Sequence, residues 1–364
     1  IVNISAGGDV DKERLKESGK YPVIANALTN KGIVGFYDDY KVKAPAVTVT
    51  GRGDVGYAVA RHENFTPIVR LLTLQSENID VDYLENQINS MRILNESTGV
   101  PQLTAPQLGN YKVYHPEIDE QSAIGSLFRT LDDLLASYKV NLANYQSLKA
   151  TMLSKMFPKA GQTVPEIRLD GFDGEWKLYE LKSRTETITK GTTPKDKSWQ
   201  GEVNYIKTES INRDSGSLVR TASTSLEEHL GYLKRSQLKE GDVLFSIVGT
   251  LGVVGLVDKK DLPANTNQQI AIIRLNRDNA IFMLNFLKSP RIKSFIKSDS
   301  TIGAQPSLSL WQIEKIKVSL PPSLEEQQSI GTYFSNLDNL IAAHQEKISQ
   351  LETLKKKLLQ DMFI

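Results

Sequence analysis

Residues 116–157 recur as residues 322–363, without a gap, at a spacing of 206 positions. The first copy opens Pro116, Glu120-Gln121, Ile124-Gly125, Phe128, Leu131-Asp132, Leu134 and closes Leu148-Lys149, Leu153, Met156-Phe157. The second opens Pro322, Glu326-Gln327, Ile330-Gly331, Phe334, Leu337-Asp338, Leu340 and closes Leu354-Lys355, Leu359, Met362-Phe363. With Ala136 and Ala342, 15 of 42 positions are identical. A duplication of this length dictates an architecture of two like units before any single residue is weighed.

Both copies read as long helices. Apolar residues fall at Ile330, Phe334, Leu337, Ile341, Ile348, Leu351, Leu354 and Leu358, with His344 in the one gap. The first copy follows with Ile124, Phe128, Leu131, Leu135, Tyr138, Leu142, Tyr145 and Leu148. Steps of four and three place one narrow stripe along a helix, the seam of a coiled coil. About 40 residues at ~1.5 Å each give a rod of roughly 60 Å. The two stripes are expected to pair, through Ile124, Phe128, Leu131, Leu135 and Leu142 on one helix and Ile330, Phe334, Leu337, Ile341 and Ile348 on the other. The competing reading is two amphipathic helices buried in ordinary cores. Asp132 with Asp338, and Gly125 with Gly331, read as helix-start chemistry.

The duplication continues upstream in weaker form. Gln102-Leu103-Thr104, Leu108 and Lys112-Val113 parallel Ser307-Leu308-Ser309, Ile313 and Lys317-Val318. Thr98-Gly99-Val100-Pro101 resembles Thr301-Ile302-Gly303-Ala304, and Gly51-Arg52-Gly53-Asp54-Val55-Gly56 resembles Gly249-Thr250-Leu251-Gly252-Val253-Val254. Ile4-Ser5-Ala6-Gly7 resembles Ile188-Thr189-Lys190-Gly191. Glu17 to Tyr40 and Asp196 to Arg220 have little in common, so like scaffolds carry unlike surfaces.

The expected boundaries are a globular domain over 1–115, a helical region over 116–157, a linker and second globular domain over 158–321, and a helical region over 322–364. The globular parts are of mixed α/β (α+β) class. Ala46 to Val49, Ile68 to Leu72, Val203 to Ile206, Asp242 to Ile247 and Ile270 to Ile273 read as strands. Val81 to Leu94 reads as a helix capped by Asp80, and Phe282 to Ser289 and Arg291 to Ser298 as short helices split at Pro290. Lys159 to Lys177 reads as a linker broken by Gly161, Pro165, Gly171 and Gly174. Trp176 to Thr187 precedes the second Ile-Thr-Lys-Gly element, whereas only Ile1, Val2 and Asn3 precede the first. A first strand is therefore expected upstream of Ile1.

Composition excludes more than it suggests. No cysteine is present, which removes disulfides and thiolate chemistry and fits a reducing cytoplasm. The four histidines, His62, His115, His229 and His344, are far apart in sequence, so no His-based metal centre is expected. No apolar run approaches the ~18 residues of a membrane span. No Walker phosphate loop exists, and Pro321-Pro322 lacks the Asn/Asp and aromatic flanks of a base-gripping methyltransferase loop. Asp170, Glu175 and Lys177 have the order of a nuclease site but sit in the Gly-rich linker. Gly51-x-Gly53-x-x-Gly56 reads as a tight turn, since no helix pattern follows it. No catalytic residue is expected.

The net charge of +1 gives no support for a polyanionic partner, so any such case rests on local patches. Leu287 to Ser298 carries Lys288, Arg291, Lys293 and Lys297 with no acid, suited to phosphates or simply to solvent. Arg52 and Thr250 sit on glycine turns where backbone can approach DNA, or which are merely structural. Asn267 and Gln268 offer amides suited to adenine edges, or a plain polar loop. Trp199 reads as core or as a stacking residue, core being favoured. The full set of candidate DNA contacts is Lys31, Arg52, Tyr57, Lys190, Thr192, Lys195, Lys207, Thr250, Asn267, Gln268, Lys288, Arg291 and Lys293.

The repeated Pro-x-x-x-Glu-Gln-x-x-Ile-Gly helix (Pro116 to Gly125, Pro322 to Gly331) carries a resemblance. So do Val164 to Leu169, Gly171-Phe172, Glu175-Trp176, Lys190 to Pro194 with Trp199 and Gly201, Gly19 to Val23, and Gly32 to Phe36. Together these resemble the specificity subunits of type I restriction–modification systems over essentially the whole chain. The resemblance implies two target recognition domains, each reading one half of a split, asymmetric DNA site. It implies two conserved helical regions packed antiparallel as a spacer that docks two modification subunits. Those partners, not this chain, would hold S-adenosylmethionine and methylate adenine, and restriction subunits using ATP and Mg would cleave unmodified DNA. The alternative is a coiled-coil adaptor with no sequence-specific DNA binding. It predicts no salt-dependent DNA affinity.

Overall fold

The structure, a computed structural model, describes residues 2–91, 93, 99–301 and 305–363. In chain order its elements begin with β1 (Asn3–Ala6), β2 (Tyr21–Ile24), β3 (Ile33–Tyr37), β4 (Ala46–Thr50), β5 (Ala58–Arg61), β6 (Thr66–Pro67) and β7 (Leu71–Gln75). Helices α1 (Val81–Ser90), α2 (Ala105–Gly109) and α3 (Ile118–Lys155) follow. Then come β8 (Lys177–Glu180), β9 (Thr185–Lys190), β10 (Val203–Ile206), β11 (Ser223–Thr224), α4 (Leu226–Leu230), β12 (Val243–Ser246), β13 (Val254–Leu256), β14 (Ala264–Thr266) and β15 (Ile270–Leu275). The chain closes with α5 (Ala280–Lys288), α6 (Pro290–Asp299), α7 (Leu310–Glu314), β16 (Lys317–Leu320) and α8 (Leu324–Met362).

Two compact units result: Ile1–Val140 with Glu346–Ile364, and Asn141–Gln345. Helix α3 begins in unit 1 and ends in unit 2; α8 does the reverse. Unit 1 has a four-stranded antiparallel sheet in the order β1-β7-β4-β5 and a small sheet β3-β2-β6 in which β2 and β6 run parallel. Unit 2 repeats both, as β9-β15-β12-β13 and β11-β10-β14, with β10 and β14 parallel. It adds the antiparallel pair β8 and β16, for which unit 1 has no counterpart among the described residues.

The repeated helix motif docks each long helix onto its own globular part. In unit 1 the Gln121 side chain accepts the N–H of Asp80, and in unit 2 Gln327 accepts that of Asn279; these are the N-caps of α1 and α5. Gly125 and Gly331 lie against the same caps, where a Cβ would stand 2.5 Å from Asp80 Oδ1 and 3.0 Å from Asn279 Oδ1. The two glycines thus permit close packing and are not helix-start residues. Asp132 and Asp338 are not helix-start residues either. Within unit 1 Asp132 accepts from Lys355 (2.5 Å), and within unit 2 Asp338 pairs with Lys149. The four residues form two copies of one antiparallel cross-helix bridge.

The stripe divides its duties. In unit 1, Phe128, Leu131, Leu135 and Leu351 form a buried seam with Tyr138, Ile348 and Phe363, while Ile124 also reaches the sheet core. In unit 2, Ile330, Phe334 and Leu337 enter the globular core itself, where Phe334 stacks on Phe157 at 6.0 Å. Both sequence readings of the helices therefore hold in part: their first turns are core and the following turns pair. Ile341 is buried and Leu142 half-buried. Leu148 and Leu354, placed on the stripe by spacing, are exposed instead.

Two element boundaries and the character of the linker differ from expectation. Strand β7 starts at Leu71, not Ile68, because Arg70 turns through φ 72° and Ile68 donates to Ile24 on the small sheet. Helix α1 ends at Ser90; its Asp80 cap is present, and Leu94 lies outside the described residues. The stretch over 159–177 is irregular but packed, with Trp176 buried and Arg168 forked onto Glu326. Pro290 occupies the first turn of α6 and divides α5 from α6 as read. Thr98 and Ile302-Gly303-Ala304 lie outside the described residues.

Candidate nucleic-acid interface

One hydrogen-bonded frame stands at the same end of the sheet in both units. In unit 1 the Thr50 hydroxyl donates to the Asp54 carbonyl and accepts the Tyr57 N–H (2.9 Å), closing the β4–β5 turn over Gly53 and Gly56, whose φ is 75° and 86°. In unit 2 the Ser246 hydroxyl donates to the Thr250 carbonyl (2.6 Å) and accepts the Val253 N–H (2.7 Å) over Gly249 and Gly252, at φ 76° and 72°. Gly53 therefore matches Gly249 and Gly56 matches Gly252. The sequence alignment of Gly51 with Gly249 was two residues out of register. Likewise Pro101 matches Pro306, since each carbonyl accepts from the first glycine of its turn.

The frame extends to the strands that meet it. Gly51 donates to the Arg70 carbonyl (3.0 Å) as Ile247 does to that of Gln269 (2.8 Å). Gly7 and Gly191 cross the preceding loops so tightly that a Cβ on either would fall 2.1 Å from the carbonyl oxygen of Ile68 or Thr266. No residue but glycine passes there, which is why the repeated Gly7 and Gly191 were visible in sequence.

In unit 2 this frame and its flanks carry six of the candidates. Ile206 lies opposite Thr266 in the parallel pair, so Lys207 and Asn267 leave the sheet side by side, with Gln268 next. Thr192, two residues after Lys190, donates its N–H to the Thr266 carbonyl (2.9 Å) and accepts from Arg235 at its hydroxyl (3.4 Å). The Lys207 ammonium sits 3.5 Å over the Trp199 ring, and that of Lys195 4.9 Å over Tyr232. Trp199 is half-buried: its ring packs on buried Tyr205 at 5.4 Å, in keeping with the core reading, and also holds the lysine. Ammonium groups held on aromatic faces beside the exposed Gln268 carboxamide suit a polyanion whose edges are to be read.

In unit 1 the matching edge is built otherwise. Asn26 clamps Arg52, accepting the N–H groups of Gly51 (2.7 Å) and Arg52 (3.2 Å) and donating to the Arg52 carbonyl (2.8 Å). Lys31 sits in a left-handed turn at φ 49° with its carbonyl held by Arg61 and its side chain exposed. Val69 and Arg70 stand exposed where Gln268 and Gln269 stand in unit 2.

A family model described as the type I restriction modification DNA specificity domain matches residues 1–144 and 173–353. The chain belongs to that family. A relative from Mycoplasma pneumoniae, named as a type I specificity subunit, is 26% identical over 99% of this chain and 93% of its own length. The specificity subunit of the MjaVIII enzyme from Methanocaldococcus jannaschii is 23% identical over 72% of this chain and 64% of its own. The crystal structure of the S subunit of a type I restriction–modification system from M. genitalium aligns with a TM-score of 0.67 at 17% identity, covering 100% of this chain and 94% of that one. The fold is thus that of the S subunits, and the chain is a type I restriction–modification DNA specificity subunit. Among the described residues no helix is long and apolar enough to cross a membrane.

The remaining candidates of this specificity chain are placed differently. Thr250 is exposed on its turn, while the Tyr57 hydroxyl is pushed up by burial and by Glu85 and Asp132 of α1 and α3. Lys288 does not face outward: it donates to the Asp214 carbonyl (2.9 Å), as Lys149 does (2.6 Å), in a cleft of about 520 Å³. Arg291 is half-buried and donates to Ser319 (3.0 Å). Of the basic run, Lys293 and Lys297 are exposed. Arg70, Arg235 and Asn26 were missed by sequence reading. Arg70 was hidden inside an apparent strand, and nothing local marks the other two.

Burial, and after it the Lys149 charge, lowers Lys288 from 10.5 to about 7. Between those values the unfolded chain binds more protons than the folded one, so stability falls as pH drops from 10.5 to 7 and then levels. Lys288→Met is expected to remove that slope and raise the stability of unit 2 at pH 7 by roughly 3 kcal/mol. Thermal unfolding from pH 7 to 10 checks this; parallel curves for both proteins would contradict it.

Proposed function

We propose that the chain reads one split, asymmetric DNA site, one half per unit, and docks two modification subunits that methylate adenine from S-adenosylmethionine. Restriction subunits using ATP and Mg join that assembly in the cytoplasm, and the specificity chain contributes no catalytic group. The observation that carries the reading is the doubled frame with unlike edges: identical backbone bonds in both units hold different side chains outward. One unit offers Arg52, Arg70 and Lys31, the other Lys190, Lys207 and Gln268. Two different half-sites follow naturally.

Two docking faces are supported by leucines that the seam leaves out. Unit 1 exposes Leu127, Leu134 and Leu354, at 39%, 42% and 45%. Unit 2 exposes Leu340 and Leu148, at 41% and 37%, at the positions that match Leu134 and Leu354 across the repeat. Exposed leucines repeated on two helices fit two copies of one apolar partner helix. Leu127→Glu with Leu134→Glu is expected to remove one modification subunit from the complex, and Leu340→Glu with Leu148→Glu the other, each pair weakening its face at least tenfold. Native mass spectrometry counts the subunits; full occupancy in both mutants would refute the faces.

The test of the function is methylome sequencing of cells carrying this chain with its modification subunit. A two-part motif with a fixed spacer is expected, and methylation without any such motif would overturn the reading.

A further inference from the structure

We propose that sequence is read at one homologous tip per unit, by Gln268 in unit 2 and by Arg70 with Val69 in unit 1. This rests on the reading above and narrows it to residues. The tip is the residue pair just before the central strand, β15 or β7. Its backbone is fixed from two sides in both units. The carbonyls of Gln269 and Arg70 accept from Ile247 and Gly51, and those of Thr266 and Pro67 accept from Thr192 and Gly8 (2.9 and 3.3 Å). The glycine crossings at Gly191 and Gly7 leave no room for the loop to shift. Base edges are distinguished only by groups held within about 0.5 Å, and this is a stiff platform in each unit.

What projects from the platform differs in kind. Gln268 is exposed and makes no hydrogen bond among the described residues, so its carboxamide has a donor and an acceptor to offer. Its neighbour Asn267 is committed: its Oδ1 accepts the Gln269 N–H (3.0 Å) and its Nδ2 donates to the Gln269 side chain (3.3 Å). Gln268 is thus the reader and Asn267 the turn residue. A carboxamide matches the N6 donor and N7 acceptor of adenine. In unit 1 Arg70 presents a guanidinium, which forks onto O6 and N7 of guanine, and exposed Val69 presents methyls suited to the thymine methyl. Arg70 holds φ 72°, a left-handed conformation costly for an arginine and of the kind found where a site strains its backbone. Lys207, anchored on Trp199, and Lys190 flank Gln268 as phosphate contacts that position without reading.

The experiment compares methylomes of the wild-type chain and of Gln268→Ala, Gln268→Glu and Arg70→Ala, each with the same modification subunit. Gln268→Ala is expected to relax one position of one half-site, lowering discrimination there by about 10- to 100-fold. Gln268→Glu is expected to move that position toward cytosine, whose N4 donates to a carboxylate. Arg70→Ala is expected to relax one position of the other half-site only. Because these side chains are exposed, unchanged melting curves accompany each result. A wild-type protein with no two-part motif sinks the functional reading itself. A two-part motif that survives all three variants unaltered, or that weakens uniformly, leaves that reading intact and overturns the tips.

Discussion

Replacing Glu326 by Ala is expected to destabilise unit 2 by about 3–5 kcal/mol, while Glu120→Ala, at the matching position of the other repeat, costs less than ~0.5 kcal/mol. The two residues share the Glu-Gln-x-x-Ile-Gly motif, yet only one is buried. Glu326 has 2% of its side chain exposed and receives both arms of Arg168, from Nε at 2.8 Å and Nη2 at 2.7 Å. Arg168 also donates to the carbonyls of Gly174 and Asp173, at 2.6 Å each, so the pair ties the irregular stretch after α3 to the first turn of α8. Removing the carboxylate leaves a guanidinium in place with its charge uncompensated, which is the expensive half of a buried pair. Removing both partners is far cheaper: Arg168→Met with Glu326→Leu is expected to recover more than half the loss. Glu120 is exposed and no ion pair of it is seen among the described residues. The three tryptophans, Trp176, Trp199 and Trp311, all lie in unit 2. Their fluorescence during denaturant unfolding therefore reports on that unit, and a midpoint for Glu326→Ala equal to wild type would end the argument.

That contrast shows what a repeat reveals and what it conceals. The duplicated helices were legible because a 3.5-residue period is written locally, and Pro290 and the glycine turns are local as well. Gly7 and Gly191 were legible because only glycine fits a backbone crossing. Partners across the fold were not. Asp132 read as helix-start chemistry because its lysine, Lys355, is more than two hundred positions away and the register of an antiparallel pair is set by neither helix alone. One signal was available: Asp132 and Asp338 recur together with Lys149 and Lys355, and two-fold exchange of the copies pairs each aspartate with the other copy's lysine. The edge was half legible. Lys190, Thr192, Lys207, Asn267 and Gln268 were singled out singly, and their assembly needed the parallel pairing of β10 with β14. Lys288 misled, since a helix face free of acids looks solvated until the Asp214 loop is seen to cover it.

Gly125→Ala is expected to destabilise unit 1 by about 1–3 kcal/mol, and Gly125→Leu by more, although alanine at an ordinary helical glycine stabilises by ~1 kcal/mol. Helix α3 crosses the start of α1 at this residue. A Cβ there falls 2.5 Å from Asp80 Oδ1 and 2.9 Å from the Tyr83 backbone nitrogen. Asp80 Oδ1 is itself the acceptor that caps α1, bonding the N–H groups of Asp82 and Tyr83 at 3.0 Å each. The added methyl must therefore push apart two helices or break the cap, and the backbone atom cannot swing aside as a side chain would. Loss of such a cap costs about 1 kcal/mol by itself, and overpacking adds ~1–3 kcal/mol. Gly331 provides the internal control. Its Cβ would meet Asn279 Oδ1 at 3.0 Å and Ile281 Cβ at 3.3 Å, contacts that a few tenths of an ångström relieve. The helical gain of alanine then balances the crowding, and Gly331→Ala is expected to stay within about 0.5 kcal/mol of wild type. Hydrogen exchange separates the two: protection at the α1 amides of Leu84 and Ile88 falls in Gly125→Ala, while the α5 amides of Met283 and Phe286 keep theirs in Gly331→Ala. Were both variants to gain protection alike, the glycines would be ordinary helix residues and the docking role assigned to the repeated motif would be lost.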